Sequence, residues 1–214
     1  MFPTTPVQRA LALAADQHGI VSAPQCRELG VSRNVVQRLV ERGRWQREAP
    51  GIYRVAGTAR TWHGRALAAT LASGPTAVVS HRSAAHLWGL AGFGPTGRIE
   101  VTVARHRRPR ERPGIMVRET TSTALLAATR REAIPVTGAA RTLVDLAAVA
   151  TGRGEVVAAL DEVRRLRLAG WDELWTTFAT HAQPGRPGIA LLRSALDLRY
   201  RGPEVPLPAW LSAT

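Results

Sequence analysis

Within residues 33–38 four side chains have the types that read a DNA base edge: Arg33, Asn34, Gln37 and Arg38. A guanidinium can give two hydrogen bonds to guanine, and the amide of Asn or Gln can pair with adenine. The same stretch holds Val36, Leu39 and Val40, with Val31 and Val35 leading in. At helical spacing these form one apolar stripe, so a helix from Arg33 to Arg42 buries the valines and turns the polar residues outward. Ser32 is placed to cap that helix and Gly43 to close it. The alternative is a solvated face on a small helical domain that binds something else.

Other residues carry weaker signals. Arg42 ends the third helix as a further DNA-binding candidate, and Arg44, Arg47 and Arg54 lie around the Pro50-Gly51 turn, where arginines on a hairpin would reach phosphates or a flanking minor groove. Such contacts give salt-dependent affinity and little sequence information. The run RHRRPRERPG, with Arg107 and Arg108 at its centre, reads either as a second phosphate-contacting loop or as a solvated hairpin tip. His81 and His86 lie near Ser80 and Ser83. A nucleophile–base pair would need them on one helical face, and five residues is the wrong spacing. No Gly-x-Ser-x-Gly elbow accompanies them, so capping and packing are the expected roles. No carboxylates stand at ligand spacing beside these histidines, so no metal site is expected. Arg141 and Asp145, four apart on one helix, are expected to be a structural pair.

The elements that must position these groups follow from periodicity and punctuation. Pro6 to His18 has helical spacing and stops at Gly19. Ser22 caps a short helix from Ala23 to Leu29, which Gly30 ends. After the third helix, Trp45–Glu48 and Ile52–Val55 read as two strands around Ala49-Pro50-Gly51. Trp45 and Tyr53 are expected in the core of that hairpin. Helix, short helix, tight turn, longer helix and hairpin make a winged helix-turn-helix over residues 1–57.

Residues 58–200 read as a second, α+β domain. Thr61–Ser73 is a helix, and Ala77-Val78-Val79 a short strand. Ser80 is expected to cap a helix reaching Trp88. Ile99–Val103 alternates as a strand, with Ile115–Arg118 as its expected partner. Thr137 is expected to cap a helix through Leu146. Further helices follow over 155–168, 172–179 and 187–199. Residues 201–214 form a Pro-rich tail.

Composition narrows the function classes. The chain has 214 residues and a formal charge of +13, from 29 basic against 16 acidic residues. Every basic residue is Arg, which excludes a P-loop lysine, a Schiff-base lysine and the lysine of a Mg-dependent nuclease cluster. The single Cys26 excludes an intramolecular disulfide and a multi-cysteine zinc site. No apolar run approaches the ~18 residues of a membrane helix. The start has no secretory pattern, so a cytoplasmic location is expected. No cofactor is expected, and the charge favours polyanionic partners. It is concentrated in the first two thirds: nine Arg face four acids over residues 1–60, and twelve face five over 61–150.

The segments VVSHRSAAHLWGL (78–90), IEVTV (99–103) and IPVTGAARTLVDLA (134–147) resemble bacterial proteins with an AbiEi-type antitoxin domain. The hairpin GRWQREAPGIYRVAG (43–57) is similar to the end of that family's N-terminal winged helix. The resemblance runs over about residues 7–200. It implies a DNA-binding antitoxin of a type IV toxin–antitoxin pair, which represses its own operon from inverted repeats near the promoter. Its implied partners are double-stranded DNA and a nucleotidyltransferase-like toxin, with no membrane. Many actinobacterial relatives continue into an endonuclease-like domain. Here RYRGPEVPLPAWLSAT follows instead, with no catalytic carboxylate cluster, so the expectation is a non-enzyme. Two other readings stay open: a protein-interaction module with a vestigial winged helix, or a degenerate remnant of an endonuclease-like relative.

Overall fold

A computed structural model describes residues 5–95, 97–104, 112–121, 128–183 and 185–200. The chain begins with α1 (Pro6–Asp16), β1 (Ile20–Ser22), α2 (Ala23–Glu28), α3 (Arg33–Glu41), β2 (Trp45–Ala49) and β3 (Ile52–Val55). Both α1 and α2 start in capping boxes: Thr5 with Gln8, and Ser22 with Gln25. Each box satisfies two backbone donors that a helix start leaves open. Ser32 Oγ accepts from the Val35 amide at the start of α3. The wing turns at Gly51, whose φ of +73° after Pro50 suits a Pro-Gly turn.

Three strands lie outside the sequence expectation: β1 here, and residues 128–131 and 134–137 further on. β1 pairs antiparallel with β3, making a three-stranded sheet in the order β1-β3-β2. One face of this sheet, with Val21, Tyr53 and Trp45, packs on Ala10, Ala14, Cys26, Val31 and Val36 of the helical side. The other face gives Ile20 and Ile52 to the neighbouring core.

The remaining elements are α4 (Trp62–Ser73), β4 (Val78–Val79), α5 (His81–Trp88), β5 (Ile99–Ala104), β6 (Ile115–Thr120), β7 (Ala128–Arg131), β8 (Ile134–Thr137), α6 (Ala139–Ala147), α7 (Arg153–Arg165), α8 (Trp171–His181) and α9 (Ile189–Arg199). Their strands form a five-stranded sheet in the order β6-β5-β4-β8-β7. The fold is mixed α and β, with the winged helix-turn-helix leading into this sheet domain. Helix α6 is buried along its whole length. Ala139, Leu143, Val144 and Leu146 pack among α5, α7, α8 and α9 residues, so the polar side chains on α6 must find partners inside.

Three local expectations are corrected. β6 does pair with β5, but in parallel, so the two strands are not the adjacent arms of one hairpin; residues 105–111 lie outside the described residues. Ser80 stands at the N-cap of α5, but its side chain makes no capping hydrogen bond. Its hydroxyl accepts from Thr102 Oγ1 at 2.8 Å and meets His81 Nδ1 at 3.0 Å. Thr137 does not cap α6, whose N-cap is Gly138; its Oγ1 bonds Thr142 Oγ1 at 2.8 Å instead. In both cases a buried hydroxyl partner outcompetes the helix amides.

Candidate nucleic-acid interface

The α3 side chains separate by face as their spacing requires. Val36 is buried, while Ser32, Arg33, Asn34, Gln37, Arg38, Arg42 and Arg44 are exposed. The first turn of α3 adds the partial positive charge of free backbone amides. A groove of about 360 Å³ runs between α2, the start of α3 and the wing, and Ser32, Arg33, Gln37 and Arg47 line it together.

Wing and helix are joined by a chain of polar contacts. Arg47 Nη2 donates to Gln37 Oε1 at 3.3 Å, and Gln37 Nε2 donates to Glu41 Oε1 at 2.9 Å. Arg47 also stacks over Tyr53, its guanidinium carbon 6.0 Å from the ring centroid. Arg47 is therefore held beside the exposed polar face of α3 and extends its positive surface toward the wing.

Arg54 corrects the sequence expectation. It was expected to reach outward with Arg44 and Arg47, yet it is only 8% exposed. Its Nε donates to Glu48 Oε1 at 2.6 Å, its Nη1 to the Thr58 carbonyl at 2.5 Å and its Nη2 to Gln46. Arg54 stands opposite Ile20 in the β1–β3 register, on the sheet face turned away from α1–α3. It holds the wing to the start of the next segment.

Arg27 is a residue the sequence reading missed. It is exposed in the last turn of α2 and lines the same groove as Gln37 and Arg47. Its signal was position: a cation ending the helix just before the tight turn. Arg107 and Arg108 lie outside the described residues. Burial pushes the Cys26 thiol up to about 11, so Cys26 serves as a small apolar core residue.

The histidines of the second domain divide between two environments. His81 is buried, and burial together with Arg118, Arg141 and Arg186 lowers its pKa to about 3. His86 packs edge-on against Trp62, centroids 4.4 Å apart. Arg141 Nε donates to Asp145 Oδ1 at 2.9 Å in a buried i,i+4 pair. Among the described residues no group of three His, Cys, Asp or Glu is placed to hold a metal ion.

A basic, exposed helix face beside a two-stranded wing defines the winged helix-turn-helix class. Residues 8–56 match a family model described as "Transcriptional regulator, AbiEi antitoxin", which bears out the resemblance read from the sequence for an AbiEi-type antitoxin N-terminal domain. The crystal structure of the RV2827C protein from Mycobacterium tuberculosis is similar in fold, with a TM-score of 0.51 and 17% identity. That similarity covers 91% of this chain and 78% of the other. No curated protein matches the chain. Among the described residues no helix is long and apolar enough to cross a membrane.

Proposed function

We propose that this chain is a sequence-specific, DNA-binding transcriptional regulator of antitoxin type, acting in the cytoplasm and without enzymatic activity. The observation that carries the reading is the exposed face of Arg33, Asn34, Gln37 and Arg38 on a helix whose opposite side is buried. Arg47, Arg44 and the α3 N-terminus supply phosphate contacts around it, and the base-reading side chains project between them. The regulator-family match over residues 8–56 supports the same role.

The finer reading is an autorepressing antitoxin of a type IV pair, bound to inverted repeats in its own promoter. It opposes a nucleotidyltransferase-like toxin through the sheet domain. Fluorescence anisotropy of the whole chain on its upstream DNA, against scrambled DNA, tests the core of this across about 50–300 mM salt. Specific binding that survives the higher salt is expected. Equal binding to both DNAs, lost as salt rises, would show only the net charge at work and overturn the regulator reading.

A further inference from the structure

The sheet domain holds a second polar site, far in sequence from α3. Thr102 of β5 and Arg118 of β6 stand side by side in the parallel register. They line a cavity of about 630 Å³ together with His81, Arg141, Asp145 and Arg186. A volume of this size is in the range of small-molecule sites.

Two atoms of this wall are buried with no hydrogen-bond partner among the described residues: Nε of Arg118 and Oδ2 of Asp145. The Asp145 side chain is 3% exposed, and Arg141 bonds only its Oδ1. A buried carboxylate oxygen left without a donor is costly, so its retention asks for an explanation.

The charges are unevenly matched. Arg118 pairs with Glu100 at 3.0 Å, and Arg141 with Asp145 at 2.9 Å. Arg186 has no carboxylate within ion-pair distance among the described residues; it meets the Nδ1 and carbonyl oxygen of His181 at 3.2 and 3.4 Å. The other carboxylate on the wall, Glu119, is exposed to solvent. The cavity thus offers guanidinium donors, one surplus cation and one acceptor that lacks a donor.

We infer that this cavity binds a small phosphate-bearing ligand, its anionic oxygens accepting from Arg118 and Arg186 and a hydroxyl of the ligand donating to Asp145 Oδ2. Guanidinium groups match phosphate oxygens in geometry and charge. The Asp145 acceptor separates phosphate from sulfate, because hydrogen phosphate carries a P–OH donor at neutral pH and sulfate carries none. The neutral His81 adds no charge and leaves the arginines to set the sign of the field.

Isothermal titration of the whole chain with inorganic phosphate, and separately with sulfate, tests the assignment. Saturable phosphate binding is expected, with sulfate weaker. Arg118→Gln and Arg186→Gln should each weaken phosphate by roughly tenfold or more, while Arg165→Gln, at an exposed pair on α7, should not. Arg186 sits half-buried in the loop before α9, so its variant remains informative where Arg118→Gln fails to fold. Absence of saturable binding overturns the site, as does binding that neither cavity variant changes. Sulfate binding as tight as phosphate overturns the role given to Asp145.

Discussion

Replacing Arg54 by Met should cost stability and leave the reading face intact, which separates it from its neighbours on the wing. The Arg54 side chain is 10% exposed and donates to Glu48, Thr58 and Gln46. Charge-assisted bonds of this kind contribute about 1.5–3 kcal/mol each. The loss is partial, because Glu48 is 18% exposed and keeps Arg60 at 3.2 Å. A net cost of about 2–3 kcal/mol follows, below the 3–5 kcal/mol expected when a fully buried pair is broken. For a chain of this size that lowers the melting temperature by about 4–12 °C. Melting followed by tryptophan fluorescence reads it, since Trp45 lies in the same hairpin. Arg47→Met should do the reverse, with near-native melting and weaker DNA binding. An Arg54→Met protein that melts like the wild type but loses DNA binding as Arg47→Met does would refute the inward assignment.

Gln37→Ala or Arg38→Ala should cost about 1–3 kcal/mol at a cognate DNA site and little on scrambled DNA; anisotropy that shows wild-type affinity for both variants removes α3 from the groove. Gly188→Ala should fold poorly, because φ is +79° and an added Cβ would lie 2.1 Å from the Ala147 carbonyl carbon. A cost above about 3 kcal/mol is expected, and a native melting curve would contradict it. Stability should also fall as pH drops below 6.5. Unfolded His81 takes up a proton near that pH, whereas folded His81 stays neutral until about 3, so acid favours the unfolded chain by about 1.4 kcal/mol per pH unit. His63, lowered first by its burial, acts in the same direction, while the raised Asp145 opposes it. His81→Gln should flatten the slope of urea midpoints between about pH 6.5 and 4.5; an unchanged slope would remove His81 as its source.

What the sequence revealed of this fold was local. The α3 stripe, its Ser32 cap and the Pro50-Gly51 turn all rest on neighbours a few residues apart, where periodicity and capping apply directly. β1 escaped because three residues are too short to show alternation. The direction of β6 escaped because alternation marks a strand without naming its partner's polarity. Arg54 was misplaced for a related reason. A lone hairpin has one free face, and only the packing of Ile20 and Ile52 with Ala66 and Leu67 of α4 shows that this face is covered. The cavity was the least legible feature. Arg141 and Asp145 could be paired from their spacing, but their meeting with His81, Arg118 and Arg186 depends on the parallel β5–β6 pairing and on the loop before α9.

The three-stranded sheet of the winged helix is a shared wall. On one side Val21 and Tyr53 hold α1–α3; on the other Ile20 and Ile52 belong to a core continuous with Val79, Val101 and Val136 of the larger sheet. A polar tie reinforces the wall where His18 Nε2 meets the Glu132 carbonyl oxygen at 2.8 Å. Interiors packed in this way transmit displacement rather than absorb it. The angle at which α3 is presented is therefore set partly by α4 and by the sheet beneath it. A wing free to swing would have to uncover Ile20 and Ile52, at about 25 cal/mol for each Å² of apolar surface exposed. The same packing means that a shift of α4 against the larger sheet would carry the α3 face and the Arg47–Gln37–Glu41 chain with it.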